Sequence, residues 1–114
     1  MRINIVGGGP AGLYFAILMK QRRPATRIAV YERNAPDDTF GWGVVFSDKT
    51  LHYLKDNDAE SHDWIVRTFE TWDNVDVVHR DRKVTIRGNR FSGIARLALL
   101  NVLQKRCREL DVDL

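Results

Sequence analysis

The first third of the chain alternates short β-branched segments with one long apolar segment. Residues 2–6 alternate polar and apolar side chains and then turn apolar, as a strand that enters a core does. Residues 11–22 are apolar on nearly all sides until a basic end, which predicts a helix buried against a sheet. Residues 27–32 supply a second strand. The order strand, helix, strand within about 30 residues predicts a βαβ unit with parallel strands.

The rest of the chain has a less regular pattern. Ser47 or Asp48, then Asp58 and Ser92, are residue types that cap helix N-termini by accepting a backbone hydrogen bond. The predicted elements are a loop with an apolar insert over residues 34–46, helices over 48–56 and 58–69, a small hairpin insert over 76–87, a long helix over 93–109 and an extended segment from 111.

Length and composition narrow the class of protein. The 114 residues, 44% hydrophobic and 29% charged, are typical of one globular domain. Cys107 is the single cysteine, so no intrachain disulfide can form and a reducing, cytoplasmic location is expected. No apolar run reaches the roughly 18 residues of a membrane span, so no membrane contact is expected. The net charge of +3 is too small to indicate nucleic acid but suits one small anionic ligand.

The turn after the first strand carries a dinucleotide-binding fingerprint. Gly7, Gly9 and Gly12 have the spacing Gly-x-Gly-x-x-Gly between a predicted strand and a predicted helix, and Glu32 follows 20 residues later. In this fingerprint the glycines allow a tight turn, close approach of a pyrophosphate and close helix packing, while the helix N-terminus attracts phosphate. Glu32 can accept hydrogen bonds from both ribose hydroxyls and would repel a 2′-phosphate. A glycine-rich turn beside a solvated glutamate is the alternative.

Neighbouring residues favour FAD over NAD as the dinucleotide. Pro10 lies at the predicted start of the helix, a position that requires no backbone N–H donor. The dipeptide Pro10-Ala11 resembles the flavoprotein version of the fingerprint. Arg33 follows the predicted ribose-binding Glu32, where a guanidinium can lie over adenine or reach phosphate. An exposed cation at the end of a strand is the alternative for Arg33.

The whole chain resembles the N-terminal FAD-binding region of the aromatic-ring flavoprotein monooxygenases, the para-hydroxybenzoate hydroxylase-like class. Residues 3–13, 30–33 and 92–100 carry this resemblance. The phrase Gly41–Ser47 resembles the branch of salicylyl-CoA 5-hydroxylase, anthraniloyl-CoA monooxygenase and the violacein-pathway hydroxylase. The resemblance implies an α/β, Rossmann-like FAD-binding domain with a parallel sheet. It also implies that residues 1–114 are the N-terminal part of a longer chain, truncated before the substrate domain.

The resemblance also implies a reaction and its participants. In this class NADH or NADPH reduces the FAD, which captures O₂ as a C4a-hydroperoxide that hydroxylates an aromatic ring. The substrate here would be an aryl-CoA thioester or a tryptophan-derived ring. Another FAD-dependent oxidoreductase and a non-catalytic adenine-dinucleotide-binding module are the alternatives. No catalytic acid, base or nucleophile can be named within these residues, and the oligomeric state is left open.

Further site residues come from the resemblance and from the positions where this chain departs from it. By the resemblance, Arg96 corresponds to an arginine of the late helix that contacts FAD. Arg96 also places a cation near the positive end of the predicted helix dipole, and a bound anion would offset the resulting repulsion. Many members carry arginines where this chain has Gly41, Trp42 and Gly43. Backbone N–H groups at Gly41 and Gly43 are expected to replace those contacts, with Trp42 either shielding the flavin or substrate or packing in the core.

The remaining reactive side chains give weaker predictions. His52, His62 and His79 share no ligand spacing with a cysteine or carboxylate cluster, so no metal site is expected. Cys107 lies between two arginines that can lower a thiol pKa, although an inert thiol is the preferred interpretation because no base is in view.

Overall fold

The structure, a computed structural model, describes all residues from Met1 to Leu114. Five strands and four helices follow one another in the order β1 (Arg2–Val6), α1 (Pro10–Arg22), β2 (Arg27–Tyr31), β3 (Gly43–Ser47), α2 (Asp48–Asn57), α3 (Ala59–Val66), β4 (Glu70–His79), β5 (Arg82–Ala95) and α4 (Arg96–Glu109). None of the helices is both long enough and apolar enough to cross a membrane.

The predicted βαβ unit is present and forms the parallel part of the fold. β1 pairs with β2 in parallel, in register from Arg2 opposite Arg27 to Val6 opposite Tyr31, and α1 makes the crossover between them. Asp113 adds the beginning of a third parallel strand, because its N–H donates to Ile28 O at 2.9 Å and its carbonyl accepts from Val30 N at 2.8 Å. The prediction of an extended segment from residue 111 is therefore confirmed.

A second sheet of three antiparallel strands has the order β3-β5-β4. The predicted hairpin is confirmed but is longer than expected, because β4 and β5 pair from Glu70 opposite Gly93 to His79 opposite Arg82. Arg80 and Asp81 form its two-residue turn with φ of 45° and 59°, the backbone twist that suits two antiparallel strands. The turn and the flanking strand residues 76–90 are all exposed.

Two predicted boundaries are wrong, and both errors have the same cause. Ser92 does not cap a helix: it lies in β5, 1% exposed, opposite Phe46 of β3 and Thr71 of β4. α4 begins only at Arg96, with Ala95 in the capping position. The end of the predicted 34–46 loop is likewise part of β3. In each case pairing between distant strands overrides a local signal.

The hydrophobic core lies between the parallel sheet and helices α1 and α4. β2 contributes buried aliphatic side chains on both faces, and α1 and α4 contribute the apolar positions that face each other. The principal members are Leu13, Ala16, Ile17, Ile28, Val30, Leu99, Leu100, Leu103 and Cys107. This packing fixes the N-terminus of α1 and one face of α4 around the same end of the sheet.

Candidate functional site

The glycine turn joins the end of β1 to the start of α1 in one tight step. Gly7 has φ of 109°, which L side chains rarely adopt, and its N–H donates to Tyr31 O at 2.8 Å. A side chain at Gly12 would overlap the Gly7 carbonyl oxygen, so only glycine lets the first turn of α1 pack against the end of β1. Gly7 and Gly12 therefore determine the shape of the turn.

Gly9 has the opposite surroundings, because it faces open space. No atom lies within 4 Å of the position that its Cβ would occupy, and Gly9 lines a cavity. Pro10 is the first residue of α1 and has no N–H to satisfy. The first backbone bond of the helix runs from Leu13 N to Gly9 O, so the N–H groups of Ala11 and Gly12 have no backbone acceptor. Free donors and the positive end of the dipole thus lie beside an open approach.

Glu32 lies directly against this turn. Its Oε2 accepts a hydrogen bond from Gly8 N at 2.9 Å, and its Oε1 accepts from Asn34 N at 3.0 Å and from Asn34 Nδ2 at 2.9 Å. The bond from the Asn34 backbone, followed by that from Gly8, lowers the pKa of the Glu32 carboxyl, so the group is ionised at neutral pH. A carboxylate offers about four acceptor positions, which leaves capacity for a ligand hydroxyl.

One cavity of about 360 Å³ brings these groups together with α4. Its walls are the glycine turn, the carboxylate after β2, the loop that follows it, one face of α4 and the last residue of the chain. The principal lining residues are Gly8, Gly9, Glu32, Thr39, Phe40, Arg96, Leu100, Gln104, Arg108 and Leu114. The four α4 residues recur every fourth position and therefore share one helix face.

Arg96 lies on the α4 wall of the cavity, at the first residue of the helix. Its backbone N–H donates to Trp42 O at 3.2 Å, and its Cδ is 3.8 Å from the position that a Gly41 Cβ would occupy. No acidic side chain forms an ion pair with Arg96. An unpaired guanidinium at the positive end of a helix dipole favours a bound anion.

Other residues predicted from the sequence lie outside the cavity wall. Arg33 is exposed and does not line it. Gly43 lies in β3 opposite Ala95, and the neighbouring bond from Arg96 N to Trp42 O makes this a non-hydrogen-bonded pair. The N–H of Gly43 therefore points to the free edge of β3. Trp42 is fully exposed and does not pack in the core that residues 1–114 form.

The loop after β2 is the part of the site that sequence reasoning missed. It is tied to Glu32 by Asn34, and to α4 by Gln104, whose Nε2 donates to Pro36 O at 3.1 Å. Arg108 donates in turn to Gln104 Oε1 at 3.4 Å. The four-residue spacing of Leu100, Gln104 and Arg108 from Arg96 could have identified the α4 wall, but nothing in the sequence indicated the contact with Pro36.

Cys107 and the histidines do not contribute reactive groups to this site. The Cys107 thiol is completely buried, donates to Leu13 O at 3.5 Å, and has a pKa raised to about 12 by burial. The alternative of a lowered pKa for Cys107 is therefore wrong. No group of three His, Cys, Asp or Glu side chains is arranged to hold a metal ion.

Taken together, the donors and acceptors of the cavity fit a nucleoside diphosphate. The free N–H groups of α1 and the Arg96 guanidinium suit phosphate, the Glu32 carboxylate suits a vicinal diol, and the absent Cβ at Gly9 leaves room for a phosphate to approach the backbone.

Residues 5–81 match the family described as the NAD(P)-binding Rossmann-like domain, and the chain belongs to that family. Among individual proteins, it is 40% identical to salicyloyl-CoA 5-hydroxylase from Streptomyces sp over 115 residues, an alignment covering 100% of this chain and 22% of the relative. It is 31% identical to protodeoxyviolaceinate monooxygenase from Chromobacterium violaceum, over 95% of this chain and 29% of the relative. A third relative, 32% identical, is 3-hydroxy-4-methyl-anthranilyl-[aryl-carrier protein] 5-monooxygenase from Streptosporangium sibiricum, with 98% of this chain and 32% of the relative covered.

Solved structures give the same fold. A variant of 2-methyl-3-hydroxypyridine-5-carboxylic acid oxygenase superposes with a TM-score of 0.83 at 24% identity, over 98% of this chain and 30% of that chain. FqzB superposes with a TM-score of 0.79 at 20% identity, over 99% of this chain and 27% of that chain. The predicted α/β Rossmann-like fold and the predicted family resemblance are confirmed. The chain spans between a fifth and a third of the length of the relatives it matches.

Proposed function

We propose that this chain binds the adenosine diphosphate part of FAD within an NAD(P)H-dependent flavoprotein monooxygenase that hydroxylates an aromatic substrate. The observation that carries the proposal is the single cavity on which Gly9, Glu32 and Arg96 meet. These residues come from three separate parts of the sequence, and each supplies a different group that an adenine dinucleotide requires.

Each wall of the cavity has a role in binding. The N–H groups at the start of α1 hold the diphosphate, and Gly9 lets it approach the backbone. Gly8 N, Asn34 N and Asn34 Nδ2 fill three of the roughly four acceptor positions of the Glu32 carboxylate. One ribose hydroxyl donates to the remaining position on Oε2, and the second donates to Oε1 in place of the Asn34 side chain. Arg96 balances the charge of the phosphates from the α4 side. A 2′-phosphate would meet the Glu32 charge, which disfavours NADP as the resident dinucleotide.

FAD rather than NAD is the proposed dinucleotide, and when bound it supplies the redox and oxygen chemistry. Pro10 at the first helical position and Arg33 after the carboxylate support this choice. The exposed Trp42 and the free N–H of Gly43 are proposed to meet the flavin side of the cofactor or the substrate. The protein's contribution here is to bind and orient the cofactor.

The substrate, reductant and location are proposed from the relatives and the composition. Relatives that act on salicyloyl-CoA and on a carrier-bound anthranilyl group support an aromatic substrate, in this case one linked to CoA. O₂ is the proposed co-substrate and NADH or NADPH the reductant. We propose a cytoplasmic location, which the single free cysteine within residues 1–114 supports. The lengths of the relatives support assigning the substrate pocket to polypeptide outside residues 1–114.

Titration of the full-length protein with ADP and with FAD tests the binding part of the proposal. Glu32→Gln removes the charge that accepts from ribose and should weaken ADP binding by about tenfold, as expected for one hydrogen bond to a charged group. Glu70→Gln, at the exposed start of β4 and outside the cavity, is the matched control and should bind ADP normally. Normal ADP binding by Glu32→Gln, or none by the unaltered protein, would contradict the proposal.

A second experiment separates hydroxylation from other flavin chemistry. The full-length protein is supplied with NADH or NADPH, a panel of aryl-CoA thioesters and ¹⁸O₂, and the products are analysed by mass spectrometry. Incorporation of one ¹⁸O atom into the ring is the expected result. Reductant consumption that yields hydrogen peroxide with every substrate would indicate an oxidase, and no consumption at all would indicate a non-catalytic binding module.

A further inference from the structure

Two buried side-chain hydroxyls have no hydrogen-bond partner, those of Tyr14 and Thr39. Most buried hydroxyls in folded proteins have a partner, so each exception calls for a physical explanation. The two differ in position. Thr39 lines the cavity described above, whereas Tyr14 does not and lies on α1 near the buried Asp58.

The backbone around Thr39 is held in place while its side chain is not. Asp38 N donates to Ala35 O at 2.9 Å, which closes a turn just before Thr39, and Gln104 anchors the same loop through Pro36 O. The Thr39 hydroxyl has no hydrogen bond to break when it moves from one staggered χ1 rotamer to another. The residue is thus fixed at the wall with a hydroxyl free to turn.

We propose that Thr39 is a further nucleotide-binding residue, whose hydroxyl turns into the cavity and donates to a diphosphate oxygen. This inference rests on the proposed function. Phosphate is the proposed acceptor because Arg96 lines the same cavity without an acidic partner and therefore favours an anionic group there. The Thr39 hydroxyl has no acceptor in the free protein, and a diphosphate oxygen of the bound nucleotide would supply one.

Two substitutions at Thr39 test the inference in the full-length protein freed of FAD. Thr39→Val keeps the shape and removes the hydroxyl, and should bind ADP about tenfold more weakly. Thr39→Ser keeps the hydroxyl and should bind within about twofold of the unaltered protein. Adenosine, which has no phosphate, should bind equally to all three. Thermal unfolding without ligand should show no loss of stability in Thr39→Val, because the hydroxyl it removes has no partner.

Tyr14→Phe is the matched control, because it removes the other unpartnered hydroxyl away from the cavity. It should leave ADP binding unchanged. Equal ADP affinity of Thr39→Val and the unaltered protein would overturn the inference, as would an equal loss of adenosine binding. Failure of the unaltered protein to bind ADP at all is a different result, which would overturn the proposed function together with the inference.

Discussion

Replacing Gly12 by alanine adds a single methyl group at the closest contact in the glycine turn. The added Cβ would lie against the Gly7 carbonyl oxygen at well under 3.0 Å, a separation that real Cβ atoms essentially never show. It would also lie 3.3 Å from Gly7 C and 3.3 Å from Ile5 Cγ2. Because the nearest of these atoms belongs to the backbone, no side chain can move aside, and α1 must shift away from β1.

The magnitude follows from two opposing effects. Overpacking costs about 1–3 kcal/mol, and an overlap with a backbone atom places Gly12→Ala in the upper part of that range, at about 2–3 kcal/mol. Alanine is a better helix former than glycine by about 1 kcal/mol, which offsets part of that cost. We expect a net loss of about 1–2 kcal/mol, which corresponds to a fall in melting temperature of about 4–16 °C at 4–8 °C per kcal/mol for a domain of this size.

Gly9→Ala is the matched comparison, because the same methyl group there meets no atom within 4 Å. Gly9 has φ of −74°, which alanine adopts freely, so the melting temperature should stay within a few degrees of the original. Its affinity for ADP should nevertheless fall, because the methyl group occupies the phosphate approach. Circular dichroism melting and ADP titration of both variants check this pair. A Gly12→Ala melting temperature equal to that of Gly9→Ala would refute the reasoning.

Three further predictions concern Cys107, Gln104 and Asp58. Burial raises the pKa of Cys107 from its ordinary 9.0 to about 12 in the folded chain, so between these pH values only the unfolded chain loses the thiol proton, and the free energy of unfolding falls as pH rises. Urea denaturation at pH 8 and 10.5 should show a smaller fall in the free energy of unfolding for Cys107→Ala than for the unaltered protein. An equal fall in the two proteins would contradict this prediction. Gln104→Leu should remove the hydrogen bond from Gln104 Nε2 to Pro36 O and raise the ADP dissociation rate several-fold in a stopped-flow displacement assay. An unchanged dissociation rate would contradict this prediction. Asp58, whose side chain is 2% exposed, pairs with Arg106 at 13%, and Arg106 also pairs with Glu60 and Glu109. Asp58→Asn should lower the free energy of unfolding by about 1–3 kcal/mol, because it removes the buried charged acceptor while Glu60 and Glu109 still neutralise Arg106. A loss below about 1 kcal/mol would count against a buried charge pair there.

The local parts of the fold could be predicted from the sequence, and the non-local parts could not. Residues 2–32 encode strand, turn, helix and strand by short-range pattern, and the structure has them within two residues. Ser92 followed by Gly93 has the local pattern of a helix start, yet both lie in β5 because β3 and β4 pair there. The β3 partner lies nearly fifty residues away, so no local window contains the information that makes it a strand.

The candidate site divides in the same way. The position of Glu32 against the glycine turn follows from strand order alone, because the ends of adjacent parallel strands meet at one edge. The α4 wall was predicted only at Arg96. The loop that faces it depends on a bond between Gln104 and Pro36, 68 positions apart, and on a buried threonine hydroxyl, neither of which has a sequence signature.

The bond from Gly8 N–H to the Glu32 carboxylate ties together two segments that lie 24 positions apart in the sequence. The two halves of the site are therefore preorganised, so an incoming dinucleotide loses little affinity to the ordering of the protein. The same bond constrains protein engineering. A redesign that exchanges Glu32 for a neutral residue to admit a 2′-phosphorylated cofactor must also give the Gly8 N–H a new acceptor, or it will loosen the phosphate turn while altering the sugar preference.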